Sequence, residues 1–122
     1  GAVNSDRYLL TYKNAGHNAG APYPVPVELL NAEDTTGASH YTDPVWDNTR
    51  MNNIMDHFAT VYFDHYLKQI EGRESYLDVI PDGADAVYSV TRGQHRDDHT
   101  YWKGFGPNTA IGLKLERRQP GE

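Results

Sequence analysis

The apolar residues of this 122-residue chain concentrate in one segment with helical periodicity, from about Asn48 to Ile70. Asp47, Asn48 or Thr49 suits the N-cap position, and Gly72 supplies a stop. At 100° per residue, the apolar side chains of this segment cover an arc of about 240°. They are Met51, Ile54, Met55, Phe58, Ala59, Val61, Tyr62, Phe63, Tyr66, Leu67 and Ile70. The pattern therefore predicts a long helix that needs neighbours on two sides.

The remaining stripe of this helix is polar and predicts a face in contact with water. It consists of Asn53, His57, Thr60, Asp64 and Lys68. His57 and Asp64 lie two helical turns apart, so the two side chains cannot pair directly. His65 falls among the apolar positions, which favours a core histidine that donates to a backbone carbonyl over a metal ligand.

Two short segments show the period-two alternation of strands. Residues 7–12 place Tyr8, Leu10 and Tyr12 on one face, and residues 110–116 do the same with Ile111, Leu113 and Leu115. A weaker pattern predicts a brief strand over 87–91. Residues 75–80 either extend the helical region or form a short second helix before a turn at 81–83.

The connections between these elements are rich in proline and glycine. Residues 13–22 contain two glycines, two asparagines and a proline, which is typical of a loop. Residues 22–26 contain three prolines and are expected to be extended, while 28–32 favour one short turn. The acidic stretch 94–99 is expected to be exposed.

The composition predicts a thin hydrophobic core in a single domain spanning residues 1–122. Apolar residues make up 38% of the chain, which also has eleven Gly and seven Pro, whereas ordinary domains reach roughly 45–50% with Gly included. Nine Tyr and two Trp can cover partner surfaces. We therefore expect a homodimer or larger oligomer, in which 7–12 or 110–117 pairs across a two-fold axis and the long helix packs on its twin.

Charge and residue usage exclude several classes of function. The net charge of −6 disfavours nucleic acid as a partner. With no cysteine, thiolate nucleophiles and Cys-ligated zinc are excluded. The sequence contains no apolar run of the roughly 20 residues that a membrane span needs, and no signal peptide. We therefore expect a soluble protein with no membrane partner and no cofactor, in a compartment that the sequence does not specify.

His17 is the residue with the clearest mechanistic potential. It lies on a loop that follows a predicted strand, where a general base is commonly held, although an exposed or turn-stabilising histidine fits the same spacing. His95 and His99 are spaced as metal ligands on a helix would be, but no helical periodicity surrounds them, which favours a solvated charge run. The aromatic residues Trp46, Trp102, Tyr41 and Tyr101 suit packing against the long helix or, less well, an aromatic ligand pocket.

The stretch Asp6–Tyr12 leading into Asn14–Asn18 resembles the last core strand and catalytic-histidine loop of α/β-hydrolases, in particular dienelactone-hydrolase-like proteins. Residues 41–48 and 57–68 resemble the approach to that family's closing helix and the helix itself. Residues 102–105 and 109–118 resemble its C-terminal end. The likeness covers most of the chain and rests on overall similarity rather than on a short invariant motif.

The resemblance implies an α/β fold that corresponds to the C-terminal part of a hydrolase domain, with few strands, one long helix and irregular connections. His17 would be the general base of an ester or lactone hydrolase. That family also needs a G-x-S-x-G nucleophile elbow and an acid. Residues 37–41 begin like such an elbow but have Tyr41 in place of the second glycine.

Two functions follow as expectations. In the first, the chain is a segment of a serine-hydrolase-like protein that is catalytically incomplete alone, because nucleophile, acid and oxyanion donors would lie upstream of Gly1. In the second, the chain is a non-enzymatic, self-associating binding or assembly module.

Overall fold

The computed structural model describes residues 3–17, 26–31, 33, 36–84, 88–89, 94–95 and 99–122. The helices and strands, in chain order, are β1 (Arg7–Tyr12), α1 (Val27–Leu30), α2 (Thr36–Ser39), α3 (Asn48–Tyr66), a 3₁₀ helix (Glu74–Tyr76), β2 (Tyr88–Ser89), β3 (Gln94–His95) and β4 (Leu113–Arg118). The chain divides into two compact units. The sheet unit joins Gly1–Lys13 with Glu71–Glu122, and the helix unit is Asn14–Ile70.

In the sheet unit, β1 pairs with β4 in an antiparallel two-stranded sheet. Tyr12 lies opposite Leu113, and Leu10 lies opposite Leu115. Both leucines of β4 are buried, so one face of the pair contributes to the core. An ion pair of 3.0 Å joins Arg117 of β4 to Asp6, the residue before β1.

This pairing bears on two expectations. β1 is predicted with the right bounds, and its partner is a strand of the same chain rather than its counterpart in a second copy. The pairing is antiparallel, unlike that of a core strand in a parallel hydrolase sheet. The structure contains both helices and strands, which confirms a mixed α/β composition. The hydrolase-like architecture and the single domain stay predictions.

In the helix unit, α3 begins where the sequence predicts. The Asp47 carboxylate accepts from the Arg50 N–H at 2.7 Å and caps the first turn. The helix ends at Tyr66, four residues before the predicted end, and the backbone then enters the left-handed region at Gln69 with φ 55°. The helix therefore ends before Gly72, the residue that the sequence predicts as its stop.

The buried face of α3 is narrower than the apolar arc predicts. Its buried residues are Met51, Ile54, Phe58, Val61 and Asp64. The apolar side chains of Met55 and Phe63 are instead exposed, with 40% and 51% of their surface accessible. The side of α3 that contains Met55 and Phe63 is therefore uncovered in the part of the chain that the structure describes.

Asp64 is predicted to lie on the water-facing stripe of the helix, but it is buried, with only 5% of its surface exposed. Its Oδ1 accepts from Lys68 Nζ at 2.6 Å, one turn further along the chain. The lysine carries a compensating charge out to solvent, which makes the buried carboxylate tolerable. His65 is half-buried, with its ring centroid 4.5 Å from that of Tyr66.

The other elements are short, and several differ from their predicted bounds. The strand predicted over 110–116 is found at Leu113–Arg118, and Ile111 lies in the preceding turn, 46% exposed. The helical region predicted at 75–80 is a single 3₁₀ turn. Within the strand predicted at 87–91, the structure describes only β2, which pairs with β3. The extended stretch 22–26 lies, except for Pro26, outside the described residues.

Candidate functional site

The loop that carries His17 leaves β1 through a tight turn. The Lys13 N–H donates to the Gly112 carbonyl at 2.7 Å, which extends the strand ladder by one residue. Asn14 then adopts φ 61°, a left-handed conformation that asparagine tolerates better than most residues. The His17 side chain is exposed. The sequence therefore predicts correctly that this histidine lies on a loop after a strand.

Asp43 connects this loop to the segment that leads into α3. Its Oδ2 accepts from the Gly16 N–H at 2.6 Å, next to the histidine. Its Oδ1 accepts from the N–H groups of Val45 at 2.9 Å and Trp46 at 2.8 Å. One carboxylate thus holds three backbone donors from two segments that lie 27 residues apart in sequence.

These hydrogen bonds also set the electrostatics of the carboxyl group. The pKa of Asp43 is lowered below its ordinary value of 3.8, first by the hydrogen bond from Val45 and further by those from Trp46 and Gly16, while desolvation opposes the shift. Donors that bond the charged form favour ionisation. Asp43 is therefore a fixed anion at neutral pH.

The segment that follows Asp43 is anchored by a buried tryptophan. Trp46 is 5% exposed, and the Arg50 guanidinium lies 4.6 Å from the centre of its ring. The same Arg50 contributes its backbone N–H to the cap at Asp47. The point to which the His17 loop is tied is thus part of a packed helix start, and the burial of Trp46 fits a packing role better than a ligand pocket.

The sequence does not single out Asp43, although one signal for its turn is present. Aspartate followed by proline commonly starts a turn in which the carboxylate accepts from the N–H groups two and three residues later. Asp43-Pro44 has this form and predicts the bonds to Val45 and Trp46. Nothing local in the sequence indicates Gly16 as a third donor, because that contact depends on tertiary structure.

No nucleophile elbow is found in the residues that the structure describes. Thr36–Ser39 is a helical turn, and the Ser39 hydroxyl donates to the Thr36 carbonyl at 2.6 Å. An elbow requires a strand that turns sharply into a helix. Ser39 is therefore part of a short helix rather than a poised nucleophile.

The structure assigns no chemistry to the other histidines or to a metal site in the residues that it describes. His57 is half-buried, with its ring against that of Phe58 at 5.1 Å between centroids. Residues 96–98, between the two histidines with metal-ligand spacing, lie outside the described residues. In the ranges that are described, no group of three or more His, Cys, Asp or Glu is placed to hold a metal ion. Nor does any helix there have the length and apolarity to cross a membrane.

A cleft of about 220 Å³ lies within the sheet unit and is lined by β4, the turn at 80–84 and Trp102. Side chains of both charges, from Lys13, Asp82 and Lys114, share its lining. Neither His17 nor Asp43 is among the residues that line this cleft.

Searches among protein-family models, curated proteins and solved structures find no match to this chain. The resemblance to α/β-hydrolases accordingly stays a prediction, and the functional argument rests on the loop that carries His17.

Proposed function

We propose that this chain is the C-terminal, histidine-bearing segment of a serine-hydrolase-like protein that cleaves an ester or a lactone. In this proposal His17 is the general base, and the segment is catalytically incomplete alone. The observation that supports it is the exposed His17 on a loop that follows β1 and is tied by Asp43 at the neighbouring Gly16. A base on a supported loop at a strand end can reach a nucleophile without burying its own ring.

The chemistry assigns a limited task to this segment. A general base accepts the proton from a serine hydroxyl as the oxygen attacks the acyl carbon, and then returns it to the leaving alcohol. The nucleophile, the acid and the donors for the oxyanion would come from another segment of the protein. The chain alone is therefore expected to give no His17-dependent hydrolysis.

The experiment compares the chain alone with the same chain joined to the polypeptide encoded upstream of it. Hydrolysis of an activated p-nitrophenyl ester is followed for the parent, His17→Ala and His40→Ala. His40 is another exposed histidine of the helix unit and serves as a matched control. We expect turnover only in the joined protein. There, His17→Ala should lower the rate by a factor of at least about 10³, whereas His40→Ala should leave it unchanged.

Two results would contradict this proposal. One is turnover by the chain alone that disappears in His17→Ala, because the segment would then contain its own reaction centre. The other is a joined protein whose turnover is the same with and without His17, which would exclude this residue as the base.

One observation favours the second candidate, a self-associating module. The face of α3 that contains Met55 and Phe63 is exposed, and Leu67, just beyond the helix, is 73% exposed. Apolar residues in such a row are typical of interfaces between protein chains. In this candidate a second copy covers the row, and the histidine loop has no catalytic task.

A further inference from the structure

We propose that Asp43 is the positioning residue for His17: its carboxylate holds the Gly16 peptide and so fixes the histidine loop to the start of helix α3. The catalytic meaning of this role rests on the function proposed above for His17. The geometric role is tested separately, on the chain as it exists.

The first step of the argument is the distribution of hydrogen bonds on the carboxylate. One oxygen is used for the local turn at Val45 and Trp46, and the other is directed to Gly16. A carboxylate with three N–H donors has little freedom to rotate, because any rotation breaks at least one bond. The Gly16 N–H therefore donates to a carboxylate whose orientation is fixed by its bonds to Val45 and Trp46.

The second step is the close approach at Gly16. A Cβ atom at this position would lie 3.0 Å from Asp43 Oδ2, tighter than nine in ten real Cβ contacts. Glycine thus allows the loop backbone to reach the carboxylate without a side chain between them. The residue that follows is His17, so the bond acts one residue from the candidate base.

The third step is the rigidity of the anchor. Trp46 is buried, and the Arg50 side chain covers its ring. Helix α3 begins two residues after Trp46, with its first turn capped by Asp47. Loop residues that perform chemistry need support of this kind, because a displacement of about 1 Å can cost two orders of magnitude in rate.

The decisive variant is Asp43→Asn. An asparagine oxygen can still accept from Val45 and Trp46, whereas the amide NH₂ then faces the Gly16 N–H, donor against donor. The opposite rotamer keeps one bond and loses two, so the first orientation is favoured. The substitution therefore removes the link to Gly16 and leaves the local turn in place. Asp47→Asn is the matched control, because asparagine caps a helix as well as aspartate does.

The measurement is ¹⁵N relaxation of the purified chain. In the parent we expect the backbone order parameter of His17 to be near the rigid value of about 0.85, and in Asp43→Asn we expect it to fall below about 0.6. The Val45 and Trp46 amides should stay protected from hydrogen exchange, and the helix content should be unchanged, in this variant. In Asp47→Asn the order parameter of His17 should equal that of the parent.

An unchanged order parameter of His17 in Asp43→Asn overturns the positioning role, as does an equal fall in Asp47→Asn. If Asp43→Asn also unfolds the turn, Gly16→Ala provides the test, because it crowds the same bond from the loop side. Equal mobility of His17 in Gly16→Ala and the parent then overturns the proposal. A rigid His17 combined with His17-independent hydrolysis in the joined protein would instead remove the catalytic proposal and leave the positioning role intact.

Discussion

At the scale of single residues, the hydrogen bonds of Asp43 make the histidine loop sensitive to acid. Because folding lowers the pKa of this carboxyl group below 3.8, chiefly through the Val45 N–H, its contribution to stability is fully present above that pH. The contribution is lost as the pH falls through the lowered pKa of the folded state. We expect the Gly16, Val45 and Trp46 amide signals to titrate together below pH 3.8 in two-dimensional NMR spectra.

Asp43→Asn removes the titrating group and supplies the control for this experiment. Its Val45 and Trp46 amide signals should stay constant over the same range of pH. A Gly16 signal that titrates apart from the other two would show that the three donors do not share one carboxylate.

Lys68 is the second residue whose charge matters. Lys68→Met keeps the aliphatic stem and removes the ammonium from the buried Asp64. We expect a loss of about 1 kcal/mol in the free energy of unfolding, below the usual range for a charged hydrogen bond because 64% of the lysine side chain is exposed. Lys114→Met, whose partner Glu116 has 43% of its side chain exposed, should lose almost nothing in the same urea titration. Equal losses would mean that the burial of Asp64 adds nothing to its ion pair.

The residue scale also shows how far sequence reasoning reaches. His17 is located correctly because strand, turn and loop are all local patterns. The burial of Asp64 does not follow from its angular position on the helix. It depends on the ion pair with Lys68, which angular position does not predict. The bond from Asp43 to Gly16 is missed because its partners meet only after the chain folds.

At the scale of elements, the start of α3 depends on Asp47. Asp47→Ala removes the acceptor of the Arg50 N–H, and we expect the chain to lose about 1 kcal/mol of stability and some ellipticity at 222 nm. Asp56→Ala, at an exposed position within the same helix, should act in the opposite direction because alanine is the better helix former. A loss of equal size in both variants would show that the hydrogen bond from Arg50 to Asp47 does not stabilise the helix.

The turn at 80–84 is the other element with a sharp prediction. A Cβ on Gly83 would lie 2.7 Å from Nε1 of the buried Trp102 and 3.1 Å from the Ile80 carbonyl oxygen. Gly83→Ala should therefore cost about 1–3 kcal/mol, as overpacking does. Gly106→Ala, with nothing within 4 Å of its Cβ, is the control in the same unit and should be close to neutral. Thermal unfolding followed by circular dichroism compares the two.

Element types were more predictable than element ends. β1 and the start of α3 follow from alternation and from a capping residue, both of which are local. The end of α3 lies outside such reasoning, because the backbone turns left-handed at Gln69, where no glycine or proline marks the change. The pairing of β1 with β4 does not follow from the sequence either, because alternation predicts a strand but does not identify its partner.

At the scale of the whole molecule, the uncovered row on α3 predicts self-association. Sedimentation at micromolar concentration should give a mass above the 13.8 kDa of one chain. Phe63→Ser should shift the equilibrium toward the single chain, because that side chain is 51% exposed. Thr60→Ser, which alters the exposed surface of the helix by one methyl group, is the control. A single-chain mass for the parent, with cooperative unfolding, would exclude the prediction.

The pairing of β1 with β4 also sets the order in which the chain can fold. About 100 residues separate the two strands, so the sheet closes a long loop, and closure of this kind slows folding far more than it lowers stability. The hydrogen bonds of helix α3 join residues close in sequence, so its turns can form within microseconds. The apolar residues of this segment are therefore exposed until the slower long-range contacts form, and we expect dilute refolding conditions to give the best yield.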